Sequence, residues 1–175
     1  MPNQKSVIKA HNSKLLATAA PQPDPPCTCR AWACPMPQGS CRATNCVYQA
    51  KVVSQDEDGN DKVALYIGAS QDFRSRYANG HLRDLRHEKY RHSTKLATYV
   101  WGLKDEGTPY TIEWFVVDRG AKHNGRRCNL CLKEAYYILY RSENNQHGPQ
   151  MCSINRRQEI FSVCLHRHRN YLKNS

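Results

Sequence analysis

Residues 46–81 read CVYQAKVVSQDEDGNDKVALYIGASQDFRSRYANGH, and this stretch decides the fold. Val47–Val53 and Val63–Ile67 are runs of β-branched and aromatic residues with partial alternation, the pattern of strands. Gln55–Asp61 between them is turn chemistry, with Asp58-Gly59-Asn60 at its tip, so the two runs are expected to pair as an antiparallel hairpin. The second strand is expected to end at Gly68. Ser70 or Asp72 can then cap a helix whose first turn carries Phe73, Arg74 and Arg76. That helix is expected to run through Tyr77 to about Ala78 and to weaken at Asn79-Gly80. The order places Tyr48 and Tyr66 on adjacent strands and brings Arg76 to their open end. Two phenols and a guanidinium around one cleft suit a phosphodiester: a phenol can take or pass a proton, and the planar fork can hold charge developing on phosphate oxygens.

The charge of the whole chain points to the same chemistry. Its 175 residues carry 26 Lys+Arg against 15 Asp+Glu, a formal net charge of +11. From Arg74 to Lys104, eight Lys/Arg face only Asp84 and Glu88, whereas acidic residues gather on the hairpin turn. Such a field favours a polyanion such as DNA, bound with release of counterions. The length suits one domain with appendages. No apolar run reaches a membrane-spanning length and the N-terminus lacks the apolar core of a secretory leader, so an intracellular protein is expected, nuclear if eukaryotic. Residues 1–26, ending in PQPDPP, read as a disordered or linker segment. A cysteine-rich lead-in is expected over 27–45 and the main domain over 46–175.

Nine cysteines without a secretory signal point to metal before disulfides. Cys27, Cys29, Cys34 and Cys41 form a compact set of four thiols, and the Gly and Pro residues between the last two permit the tight loops of a closed tetrahedral Zn²⁺ site. Cys46 reads as a buried strand thiol, and Cys152 has no assigned partner. Farther on, Ser93–Leu103 is a helix candidate with Leu96, Tyr99, Val100 and Leu103 at helical spacing. Trp101 on it reads as a core or helix–sheet contact. Pro109–Val117 is a third strand, and Arg119–Arg127 is a basic loop suited to a phosphate backbone. A third helix opens at Cys128-Asn129-Leu130-Cys131 and carries Glu134, with Ala135, Ile138 and Leu139 facing inward.

Val47-Tyr48, Tyr66-Ile67-Gly68 and Phe73-Arg74-Ser75-Arg76, taken in order, resemble the core of the GIY-YIG endonucleases, in the version found in Penelope-like retroelements. The likeness runs from about Cys27 to Leu172. It includes the lead-in (C-x-C, then Cys34-Pro35 and Gly39-Ser40-Cys41), the segment Thr94–Leu103, the C-x-x-C ahead of Glu134, Cys164-Leu165-His166, and Ile154–Ile160. In the first motif Cys46 stands where the family has glycine. The family histidine falls four residues after the arginine. Here His81 follows Arg76 by five, so Gly80 reads as an insertion, and His81 either takes that histidine's place or is one of several phosphate-binding basic residues.

The resemblance implies an α/β fold: a small three-stranded antiparallel sheet flanked by helices, with zinc-stapled N- and C-terminal segments. It implies a Mg²⁺- or Mn²⁺-dependent DNA endonuclease, nicking one strand as in retroelement target priming, with a reverse transcriptase attached or separate. Tyr48 would act as general base or orient the attacking water, Tyr66 would position or relay the proton, Arg76 would stabilise the pentacovalent charge, and Glu134 would hold the catalytic cation. Asn155 would orient the site by hydrogen bonding, and Arg156, Arg157, Arg167, Arg169 and Lys173 would lie along DNA. A second zinc would sit on Cys128, Cys131, Cys164 and His166, with His168 the competing histidine. The alternative is a zinc-stapled DNA-binding module that has lost catalysis.

Overall fold

The computed structural model describes residues 24–29, 34–36, 39–120 and 129–143. Strands β1 (Thr44–Gln55) and β2 (Asp61–Asp72) form the expected hairpin, and β3 (Tyr110–Arg119) pairs antiparallel with the other side of β1. The sheet order is β2-β1-β3, so the first strand is central. Asp56 closes the hairpin turn: its Oδ1 accepts the backbone N–H of Asp58 at 3.0 Å and of Asn60 at 2.8 Å. Gly59 supplies the left-handed residue of that turn at φ 81°. The second strand does not stop at Gly68. It stays paired as far as Asp72 opposite Thr44, which delivers the chain to the helix from one more turn along the sheet.

Asp72 is the cap, accepting the Ser75 N–H at 3.0 Å. Helix α1 (Phe73–Arg76) does not end at Asn79-Gly80. It widens into a π-helical turn (Tyr77–His81) and continues as α2 (Leu82–Arg86). A π turn takes one more residue per hydrogen-bonded ring than an α turn. Asn79-Gly80 is therefore carried within the helix and does not break it. Thr94 caps α3 (Lys95–Asp105), and α4 covers Leu130–Glu143.

The two faces of the sheet have separate cores. On one, Tyr48, Ala50, Val52, Ala64, Tyr66 and Trp114 pack against Phe73 and against Leu96, Val100 and Leu103 of α3. On the other, Val47, Leu65 and Ile67 pack against Leu130 and Ile138 of α4. Each large side chain buried here contributes about 1.5–3 kcal/mol. Met36 and Ala43 of the lead-in join the first core. Cys46 is a buried strand thiol, as expected, and burial pushes it up to about 12. Trp101 is half-buried but joins two helices rather than helix and sheet, donating to the Asp84 carbonyl at 3.0 Å. On α4 the inward positions start at Leu130 and include Ile138, while Ala135 is half-buried. Among the described residues no helix is long and apolar enough to cross a membrane.

Candidate active site and metal centre

Tyr48 pairs with Gly68 and Ala50 with Tyr66, so the two tyrosines stand on one face of the sheet as diagonal neighbours. A bulge against β3 falls between Val47 and Tyr48, a device that re-aims a side chain beside a site. The Tyr48 hydroxyl lies over Gly68, where a Cβ would come within 2.5 Å of its oxygen. The glycine of the second motif is thus the floor on which the first tyrosine rests. Arg76 reaches both phenolic oxygens and lies against the bare Cα of Gly80, where a Cβ would meet Nη1 at 3.1 Å.

The π turn carries His81 to the same point. Its Nε2 is 2.7 Å from the Tyr48 hydroxyl, and both side chains are buried. Trp114 packs on the imidazole with ring centroids 4.9 Å apart. His81 is thus buried against the tyrosine and not on the exposed basic surface. Burial pushes the Tyr48 phenol up to about 12 against the pull of Arg76, and the Glu134 carboxylate adds to the rise. Burial also holds His81 down to about 3, helped by the charge of Arg76 and opposed by that of Asp84. Tyr48 is therefore the donor and neutral Nε2 the acceptor. That tautomer leaves the proton on Nδ1, which is buried with no partner, at a cost of about 1–3 kcal/mol.

Because His81 is lowered from 6.5 to about 3 in the fold, the unfolded chain takes its proton first as acid is added. The associated stability is complete above pH ~6.5 and is lost as pH falls toward ~3, on the order of 4 kcal/mol across the window. Denaturant midpoints at pH 7, 5 and 3 should fall more steeply for wild type than for His81→Gln. Equal slopes would rule this out.

Glu134 approaches from the other side. Leu130 and Ile138, one turn before and after it on α4, pack against the opposite face of the sheet, yet the charge of Glu134 acts on the Tyr48 phenol. Lys133 fixes the helix beside β3 by donating to the Asp118 carboxylate at 2.9 Å and to the Arg119 carbonyl. The Glu134 carboxylate is half-buried.

The four sulfurs of Cys27, Cys29, Cys34 and Cys41 lie within 4.8 Å of one another. Three of the spacings are 3.6, 3.7 and 3.4 Å, near the edge of about 3.8 Å that a tetrahedron of Zn–S bonds of about 2.3 Å requires. The donor set fits Zn²⁺. The backbone N–H of Cys29 donates to Cys27 Sγ and, with the neighbouring thiols, lowers Cys27 to about 7, readying it to bind as thiolate.

This knot is tied to α1: Arg74 donates to the Thr28 hydroxyl at 3.0 Å, and the Phe73 N–H donates to the Ala43 carbonyl at 3.0 Å. Asp24 pairs with Arg119, so that arginine is already engaged. Stripping the metal under reducing conditions should release Met36 from the core and lower Tm by about 6–12 °C, equivalent to about 3 kcal/mol. Metal analysis with thermal denaturation checks it, and less than one zinc per chain would remove the site.

Of the sequence candidates, Tyr48, Tyr66, Arg76 and His81 are brought together, and Glu134 reaches Tyr48 by charge. Cys131 opens α4, while Cys128, Cys164, His166 and Asn155 lie outside the described residues, as do Cys152 and the residues of the basic loop beyond Gly120. One residue had not been singled out for the site: Asp84, buried one turn beyond His81 with Arg83 on its carboxylate. Its signal was an acidic residue standing almost alone in a basic run. Comparison with family models, curated proteins and solved structures returned no match for this chain.

Proposed function

We propose that this protein is a divalent-metal-dependent DNA endonuclease of the GIY-YIG type. The observation that carries the reading is the buried 2.7 Å contact between the Tyr48 hydroxyl and His81 Nε2, with Arg76 against both tyrosines. A phenol pushed up to about 12 is a poor base alone, and a neutral imidazole on its proton makes it a relay. A water held beside Tyr48 attacks phosphorus. As the new P–O bond forms, the water gives its proton to the Tyr48 oxygen, and Tyr48 passes its own to His81 Nε2. The guanidinium of Arg76, forked toward the phosphate, stabilises the pentacovalent charge. The P–O bond to the leaving nucleoside then breaks, and the leaving oxygen takes a proton from solvent. Tyr66 holds Arg76 in place. A cation on Glu134 would supply Lewis-acid stabilisation of phosphate oxygens.

Exposed Arg86 and Lys89 beyond the site, with Arg83 stacked over Tyr90 at 4.4 Å, supply a positive surface for the duplex. Strand nicking that primes a reverse transcriptase is the biological setting that the sequence likeness favours. The test is conversion of supercoiled plasmid to open circle with Mg²⁺ or Mn²⁺. Wild type is expected to nick, and Glu134→Ala to lose about 10²–10³-fold while still holding zinc. A wild type that binds plasmid and never nicks it would make the chain a DNA-binding module instead.

A further inference from the structure

Two buried polar features of the π turn and α2 have no use in the mechanism above, and they are one turn apart. His81 Nδ1 has no hydrogen-bond partner. The Asp84 carboxylate, 2 % exposed, is occupied by its chain neighbour: Arg83 Nε and Nη2 both donate to Oδ1, at 2.9 and 2.7 Å. Arg83 itself is 46 % exposed and lies in the basic stretch. Its guanidinium stacks on Tyr90 with Lys89 close to the same ring. The Asp84 backbone is anchored from α3 by Trp101, so the residue keeps its place three positions after His81 on the same helix whatever Arg83 does.

We propose that Asp84 is a positioning residue held in reserve for His81: a DNA phosphate that draws Arg83 outward frees the carboxylate to accept the Nδ1–H of His81, which makes the imidazole the proton acceptor for Tyr48. The inference rests on the endonuclease reading and adds a trigger to it. Without DNA, burial and Arg76 keep His81 a weak base, and the relay is idle. With DNA, the carboxylate favours the imidazolium formed as Tyr48 hands over its proton. The titratable and charged groups that face His81 are Tyr48 from β1, Tyr66 from β2, Arg76 from α1 and Asp84 from α2, while β3 contributes the uncharged Trp114. Of the two carboxylates near the site, Glu134 acts on Tyr48 and Asp84 on His81.

The experiment is a titration of His81 by NMR in zinc-loaded, full-length protein labelled with ¹⁵N-histidine, alone and with a short DNA duplex. Arg83→Ala should raise the His81 midpoint by about one to three pH units without DNA. Arg83→Lys should leave it near wild type, since the ammonium still pairs with Asp84. Adding duplex to wild type should reproduce the rise. An Arg83→Ala midpoint equal to wild type would overturn the proposal, and so would DNA that binds wild type and leaves His81 unmoved. Arg83→Ala removes the ion-pair partner of a buried carboxylate, so its fold is checked first by its NMR spectrum at pH 7, and Arg83→Lys together with the duplex titration of wild type decides the proposal if that variant is unfolded. A duplex that fails to bind would count against the endonuclease reading, and the Arg83→Ala titration in free protein would still decide the coupling.

Discussion

Arg76→Ala is expected to slow plasmid nicking about 10²–10³-fold while costing only about 1 kcal/mol of stability. The guanidinium faces both phenols at once, and their oxygens outweigh the burial that opposes its charge. Its removal takes away the group that would meet negative charge on phosphorus. Two proton affinities should move with it. Arg76 holds both the Tyr48 phenol and His81 down, so without it both rise, and the acid limb of the pH–rate profile shifts to higher pH. Arg76→Lys keeps a charge but loses the fork. It should restore the position of the acid limb and recover little of the rate. A rate loss with no shift of the acid limb would mean that Arg76 acts on the substrate alone. Unchanged nicking would remove it from the site.

How far this arrangement was legible in the sequence differs from residue to residue. The hairpin was readable because Asp56–Asn60 is almost pure turn chemistry between two β-branched runs, and pairing then follows from closure. The continuation of β2 past Gly68 was not, since Ala-Ser-Gln-Asp carries no strand preference and is held by its partners on β1. Tyr48, Tyr66 and Arg76 could be placed on one cleft from their spacing.

His81 could not. By α-helical arithmetic a residue five beyond Arg76 points well away from it, and a glycine before it weakens a helix. What restores it is tertiary. The hydrogen bond to Tyr48, the tilted packing of Trp114 and the room that Gly80 leaves for Arg76 together favour a π turn that local preference alone would not form. Asp84 was visible only as a charge, because a carboxylate in a basic run reads as a solvated neighbour until its burial is known. The thiol cluster was the reverse case: four sulfurs at short spacing have few reasons to converge other than a metal.

The most damaging single methyl group in this fold should be the one added by Gly68→Ala. Its Cβ would lie 2.5 Å from the Tyr48 oxygen and 2.6 Å from Cζ, so the ring itself, and not a flexible tip, has to move. There is nowhere for it to go: Phe73, His81 and Trp114 surround it with ring centroids 5.1, 5.6 and 5.9 Å away. Overpacking of this kind costs about 1–3 kcal/mol. Displacing the hydroxyl also strands His81 Nε2, a further loss of about 1–3 kcal/mol. Denaturant unfolding should register about 2–6 kcal/mol in total, and nicking should disappear with the Tyr48–His81 contact. Gly102→Ala on α3 is the control, because nothing lies within 4 Å of its Cβ position and helix propensity favours alanine by about 1 kcal/mol. A double-mutant cycle with Tyr48→Leu identifies the cause: with the ring gone, Gly68→Ala should cost less than half of its single-mutant value. Additive costs would place the clash elsewhere and would remove Gly68 as the floor under Tyr48.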